Sequence, residues 1–111
     1  MATLEWEKAV GVVHACNLQP GSGHYRSFEV FGTEGCAIVN PIEPPVMKIE
    51  LAKNAGPYSK GVQAVPMSSY RRFVDDFADL AGAVRGERKM RVSFEEELLV
   101  EETLLRCSGM A

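Results

Sequence analysis

The sequence predicts an α+β fold, in which a mostly antiparallel open sheet of about five strands is followed by two C-terminal helices that cover one face. Three observations favour this class. As far as Met67, apolar residues alternate with small or polar ones, and Gly-rich and Pro-rich connections separate these stretches. From Ser69 onward the apolar spacing becomes helical, and a second helical pattern begins at Ser93. The length of 111 residues corresponds to a single domain over residues 1–111.

The composition is that of an ordinary globular protein, with 46% hydrophobic and 24% charged residues. A net charge of −3 gives no positive field for phosphate groups or anionic bilayers, so neither nucleic acid nor a membrane is expected as a partner. No apolar run reaches transmembrane length, and residues 1–8 lack a signal-peptide pattern. These features predict a cytoplasmic location.

The first predicted strand covers residues 9–16, where one side is nearly all small and Gly11 indicates a bulge or a close approach. A hairpin is predicted over residues 28–40, with Gly32 and Gly35 supplying the positive φ values of a tight turn. The proline-rich residues 40–45 should form an extended bend. Two further strands are expected at residues 46–51 and 61–67, with a loop at residues 53–60. In the former, Met47, Ile49 and Leu51 form the dry face, and Lys48 and Glu50 lie on the wet face.

The first helix is expected to begin at Ser69, with Ser68 or Ser69 as its N-cap, and to stop at Gly86. Its packing face is a continuous apolar stripe made of Tyr70, Phe73, Val74, Phe77, Leu80, Ala81 and Val84. The solvated side should carry Asp75, Asp76 and Asp79, with the pairs Arg71–Asp75 and Arg72–Asp76 four residues apart. Two arginines in a first turn oppose the helix dipole, so an anionic partner is one hypothesis and simple solvation is the favoured alternative.

The second helix should begin with a capping box from Ser93 to Glu96 and end at Gly109. The glutamates that follow Ser93 suit the dipole of the first turn. Consecutive helical residues point in different directions, so we interpret them as solvated residues and not as a metal or acid–base cluster.

Three separated cysteines, Cys16, Cys36 and Cys107, indicate reduced, buried thiols and not a disulfide framework. His14 and Cys16 can share one strand face, but two ligands do not complete a zinc site, so no metal ligands are assigned.

The turn Gly21-Ser22-Gly23 lacks the third small residue and the following helix of a dinucleotide fingerprint. A hydrolase that uses Cys16 or Cys36 with a histidine is disfavoured, because both cysteines lie in apolar strand patterns.

Several segments follow one another in a characteristic order: residues 28–35, 41–45, 70–80, 85–87 and 102–106, closing on residues 108–110. Their order and spacing resemble the later part of the C-terminal domain of Gfo/Idh/MocA-type oxidoreductases. The resemblance implies a parent enzyme that transfers a hydride between NAD or NADP and a sugar-like or polyol substrate. It further implies an N-terminal Rossmann domain and an open sheet that shapes the substrate site and forms the oligomer interface. Met90 departs from the family pattern, in which proline is usual after the Arg-Gly-Glu turn.

None of the family's catalytic motifs occurs in this sequence. There is no Gly-x-Gly-x-x-Gly after a strand, no Glu-Lys-Pro and no Asp-x-x-x-His, so no catalytic or cofactor-binding residue is assigned. We therefore expect a fragment without the Rossmann domain, which is its partner in the parent, and without activity of its own. The alternative is a free-standing binding or interaction module derived from the same domain.

The substrate-contacting residues are not determined by the sequence; the exposed-type polar candidates are His14, Tyr25, Arg26, Tyr58 and Arg71. A sheet face left uncovered by the helices would be apolar, and apolar patches are usually buried by a partner. We therefore expect a homo-oligomer, most simply a two-fold dimer that uses this face.

Overall fold

The computed structural model describes residues 1–16, 18–69 and 71–110. The elements are β1 (Ala2–Trp6), β2 (Ala9–Val13), a 3₁₀ helix (Ser22–Tyr25), β3 (Phe28–Gly32), β4 (Gly35–Val39), β5 (Met47–Leu51), β6 (Gly61–Val65), α1 (Val74–Val84) and α2 (Phe94–Ser108). The strands form an antiparallel pair, β1-β2, and an antiparallel sheet of order β3-β4-β5-β6. The predicted α+β class with C-terminal helices is confirmed, although its strands form two sheets and not one.

The chain divides into two compact units. The first contains β1, β2, α1 and α2, and the second contains the 3₁₀ helix and strands β3 to β6. The helices therefore belong with the two-stranded sheet, where α2 contacts β1. The prediction had instead assigned both helices to one large sheet.

Strand β1 was not predicted, because the Glu7-Lys8 turn that joins it to β2 lacks the usual turn residues. The strand predicted at residues 9–16 is present but shorter, covering Ala9–Val13. The close approach predicted at Gly11 is confirmed, since a Cβ there would lie 3.0 Å from the indole of Trp6. Glycine at this position leaves room for the indole ring.

The central hairpin is confirmed, with Gly32 paired to Gly35 across the turn. Neither glycine has the left-handed φ that the prediction assumed: Gly32 has no positive φ, and the backbone of Gly35 is close to extended. A Cβ at Gly35 would overlap the backbone carbonyl oxygen of Glu50 on β5. Glycine is needed at position 35 because two strands approach closely, and not because the turn requires a left-handed residue.

The pairing register assigns the side chains of the four-stranded sheet to two faces. The inner face is apolar, and at its centre Ile49 is only 8% exposed. The inner face consists of Phe28, Val30, Ala37, Val39, Met47, Ile49, Leu51, Gln63 and Val65. The open face consists of Glu29, Phe31, Cys36, Ile38, Lys48, Glu50, Val62 and Ala64. The predicted dry and wet faces of β5 are therefore confirmed.

The connections of this sheet differ in detail from the predictions. Residues 41–45 form turns, closed by hydrogen bonds from Asn40 N–H to Val46 C=O (2.9 Å) and from Val46 N–H to Pro41 C=O (3.1 Å). The segment is therefore folded on itself and not extended. The peptide bonds before Pro41 and Pro44 are cis. The strand predicted at residues 61–67 ends at Val65, and the predicted loop before it contains a bridge between Ala55 and Tyr58.

Helix α1 begins later than predicted, at Val74, and its N-cap is Phe73 in a left-handed conformation (φ 65°) without a side-chain cap. Ser68 and Ser69 therefore do not cap it, and Tyr70 lies outside the described residues.

Arg71 and Arg72 precede the helix, so the predicted i,i+4 pairing has no helical basis. The guanidinium of Arg72 lies 4.8 Å from the centroid of the Phe73 ring. The predicted stop at Gly86 is confirmed.

The C-terminal end of α1 is a Schellman motif. The N–H of Glu87 donates to the C=O of Gly82 (2.9 Å), and that of Gly86 donates to the C=O of Ala83 (3.0 Å). Gly86 adopts φ 74°, the left-handed conformation that this motif requires.

The burial of α1 differs from the prediction, although Asp75 and Asp76 are exposed as expected. Its buried residues are Asp79 and Gly82, whereas Phe77 of the apolar stripe is 69% exposed and Val84 is 79% exposed. Asp79, predicted to be solvated, is only 7% exposed.

Helix α2 follows the prediction closely. The hydroxyl oxygen of Ser93 accepts from Glu96 N–H (3.2 Å), and Ser93 N–H donates to the Glu96 carboxylate (2.8 Å), so the capping box is confirmed. Gly109 ends the helix with φ 74°. Near that end, Arg106 forms an i,i+4 ion pair with Glu102 (2.6 Å).

Candidate functional site

The five polar candidates occupy separate places in the fold. His14 follows β2, Tyr25 ends the 3₁₀ helix, and Arg71 precedes α1; all three side chains are exposed. Arg26 accepts a hydrogen bond at its backbone carbonyl from the side-chain amide of Asn40 (3.3 Å). Half-buried Tyr58 exchanges backbone hydrogen bonds with Ala55. Within residues 1–16, 18–69 and 71–110 no hydrogen bond or ion pair joins any two of these five residues.

The thiols are free in the described part of the chain, as predicted, but Cys16 is exposed and Cys36 and Cys107 are half-buried, so the expectation of buried thiols was wrong. His14 is also exposed. Cys36 lies directly opposite Phe31 and Glu50 in the sheet. Neither neighbour supplies the cation or the imidazole that stabilises a thiolate, and this arrangement does not favour the cysteine-hydrolase hypothesis.

No group of three or more His, Cys, Asp or Glu side chains is placed to hold a metal among the described residues. The Gly21-Ser22-Gly23 turn overlaps the short 3₁₀ helix Ser22–Tyr25, and the next element is strand β3 from Phe28. The segment lacks the long helix that would complete a dinucleotide-binding turn.

The most buried charged group is the carboxylate of Asp79. Its Oδ2 accepts a hydrogen bond from the backbone N–H of Arg91 (3.0 Å), and its Oδ1 lies 3.6 Å from both Arg88 Nη1 and Arg91 Nε. Gly82 leaves room for Arg88, because a Cβ there would overlap the Arg88 guanidinium. This cluster holds the loop between α1 and α2, which contains Arg88 and Arg91, against helix α1.

The Asp79 cluster was not predicted from the sequence. Its sequence signal is a small residue three positions after an aspartate on one helix face, followed by two arginines beyond the helix end. That signal is weak, because aspartates near the middle of a helix are usually solvated.

Two other polar contacts affect pKa values. The backbone N–H of Ser93, and secondarily its hydroxyl, lower the pKa of Glu96. The side chain of Glu87, which accepts two hydrogen bonds from Arg85 (2.6 and 3.0 Å), raises the pKa of that guanidinium. Both pairs lie at the surface and stabilise helix ends.

The first unit carries two mainly apolar clefts. One, of about 520 Å³, lies between α1 and the start of α2 and is lined by residues that include Leu80, Val84 and Phe94. The other, of about 560 Å³, lies between β1 and α2 and includes Leu4 and Leu104. The hydroxyl of Ser93 at the first cleft already serves the capping box, so the cleft offers an apolar surface without an evident reactive group.

The open face of the second unit carries two cross-strand rows of side chains. The first row is Glu29, Ile38, Lys48 and Ala64, and the second row is Phe31, Cys36, Glu50 and Val62. Phe31 and Val62 are each 70% exposed. The face thus combines apolar area with charges of both signs, a composition suited to contact with another protein.

No family model, curated protein or solved structure matches this chain. Among the described residues, no helix is both long enough and apolar enough to cross a membrane.

Proposed function

We propose that this chain is the C-terminal substrate-binding and dimerisation region of a cytoplasmic NAD(P)-dependent sugar or polyol oxidoreductase of the Gfo/Idh/MocA type. The observation that carries the proposal is the order of the resembling segments along an α+β chain with an open antiparallel sheet. Residues 28–35 begin the β3–β4 hairpin, residues 41–45 form the β4–β5 turn, and residues 102–106 lie in α2. In this proposal the chain has no activity by itself.

The cofactor of the proposed parent is held by its Rossmann domain. This chain supplies scaffold and, in the complete enzyme, part of the wall of the substrate site.

The reading frame upstream of Met1 is the direct test. We expect it to encode a strand, a Gly-rich turn and a helix in frame with this chain. A start codon at Met1 with no such upstream unit contradicts the fragment and favours the free-standing interaction module. Calorimetric titration of the isolated chain with NAD and NADP is a second test: saturable micromolar binding would contradict a region without a cofactor site.

Dimerisation through the open face is the second part of the proposal. Lys48 lies on β5 beside Glu50 and across Ile38 from Glu29, so a second copy related by a two-fold axis can place this lysine against a carboxylate. We expect Lys48→Glu to weaken the dimer, measured by sedimentation velocity. Unchanged association in this variant would contradict the face contact.

A further inference from the structure

Backbone hydrogen bonds fix which groups of the four-stranded sheet point outward. Glu34 C=O accepts from Ala52 N–H, and Val46 C=O accepts from Asn40 N–H, each at 2.9 Å. In an antiparallel ladder, hydrogen-bonded pairs alternate with non-bonded pairs. The even-numbered residues of β4 therefore bond to β5, and its odd-numbered residues bond to β3.

The same alternation fixes the edge of the sheet. Phe28, Val30 and Gly32 bond to β4, so the N–H and C=O groups of Glu29 and Phe31 point away from the sheet. No described backbone group accepts from or donates to these four outward groups. All five residues of β3 are exposed.

We propose that β3 pairs with β3 of a second copy of this chain, antiparallel and with Val30 on the two-fold axis. In this register Glu29 N–H donates to Phe31 C=O of the partner subunit, and Phe31 N–H donates to Glu29 C=O of the partner subunit. The symmetric bonds satisfy all four outward groups of each copy. Two four-stranded sheets become one sheet of eight strands.

Side chains favour the same register. Each Glu29 lies opposite a phenyl ring and not opposite another carboxylate, so the pairing brings no like charges face to face. Phe28 lies opposite Gly32 of the partner subunit and can cover it. The inner face continues from Val30 of one copy to Val30 of the other without an intervening charge.

The opposite edge, β6, is less suited to pairing. Pro66 follows it directly and has no N–H to donate, and Gly61 at its start has φ 100°. Three of its five residues are half-buried, whereas β3 is exposed throughout. An exposed apolar edge strand such as β3 is a template for another strand.

The edge contact goes beyond the proposed function and does not depend on the oxidoreductase family. Phe31→Glu places two carboxylates opposite each other twice across the two-fold axis. We expect a roughly tenfold weaker dimer by sedimentation velocity. Adding Glu29→Lys to the same chain creates opposite-charge pairs and should restore association. Val12→Glu is the matched control, because Val12 is 62% exposed but lies on β2, outside the four-stranded sheet.

Disulfide trapping tests the register directly. In a chain whose three cysteines are replaced by serine, Val30→Cys should form a disulfide-linked dimer on mild oxidation, because the Cα atoms of a non-bonded pair lie about 4.5 Å apart. Gln63→Cys, at the centre of β6, should not. Circular dichroism confirms that each variant is folded.

Three outcomes overturn the edge contact. One is failure of Val30→Cys to cross-link faster than Gln63→Cys. Another is a dimer that still forms in the Phe31→Glu variant but dissociates in the Lys48→Glu variant. That result would support the proposed face contact and not the edge contact. A wild-type chain that stays monomeric overturns both contacts.

Discussion

At the scale of single residues, the buried face of α1 carries a charged side chain, that of Asp79, and no large apolar side chain. Its carboxylate is nearly buried, while the side chains of its partners Arg88 and Arg91 are about half exposed or more. We expect Asp79→Ala to lower the free energy of unfolding by about 2 kcal/mol, because the backbone N–H of Arg91 loses its acceptor. Urea denaturation measures the change. Asp75→Ala is the control, and an equal loss in both variants would show that Asp79 has no special role.

Gly35 is a second position where a single added carbon atom should change the stability of the protein. We expect Gly35→Ala to destabilise the protein by about 3 kcal/mol, because the added methyl overlaps the Glu50 carbonyl between β4 and β5. Gly32→Ala, across the same turn, meets its nearest atom at 3.5 Å and should cost much less. Thermal unfolding of the pair tests this difference. Similar melting temperatures would refute the close approach.

At the scale of the element, the capping box makes the stability of α2 depend on pH. Because the folded state lowers the pKa of Glu96, its contribution is present above the pKa of the unfolded glutamate and is lost as pH falls through the lower folded value. We expect Glu96→Gln to reduce the difference in stability between neutral and acid pH. Denaturation from neutral to acid pH measures it, and an unchanged pH profile would argue against the contribution of the ionised glutamate.

The sequence predicted elements well where local chemistry alone defines them. The Ser93 and Glu96 cap, the Gly86 and Gly109 stops and the turn between β3 and β4 each depend on neighbouring residues, and all were confirmed. The α1 start was wrong because capping preference at Ser68 and Ser69 was outweighed by a turn at Phe73. Strand β1 was missed because its partner strand, and not its own composition, defines it.

The candidate site was far less predictable than the elements. Periodicity identified the apolar stripe of α1 but could not tell whether the chain itself covers it, and Phe77 is in fact exposed. Burial of Asp79 depends on Arg88 and Arg91, which lie beyond the helix. The order of polar residues along the sequence also does not indicate which of them interact. Among the described residues, no hydrogen bond or ion pair joins any two of the five candidates.

At the scale of the whole molecule, the described residues bury very little apolar surface. Ile49 is the sole buried hydrophobic residue among them, while Trp6, Phe31, Phe77 and Leu98 are each at least 60% exposed. Extensive exposed apolar surface usually marks contact with another protein. The two self-association contacts proposed above would cover part of this exposed surface.

Sedimentation velocity of the wild-type chain, from low to high micromolar concentration, tests self-association most directly. We expect reversible formation of a species with at least twice the 12.2 kDa mass of the chain, because two symmetric contacts can link more than two copies. Its proportion should rise with concentration. A single 12.2 kDa species at every concentration would contradict self-association through β3 and through the open face.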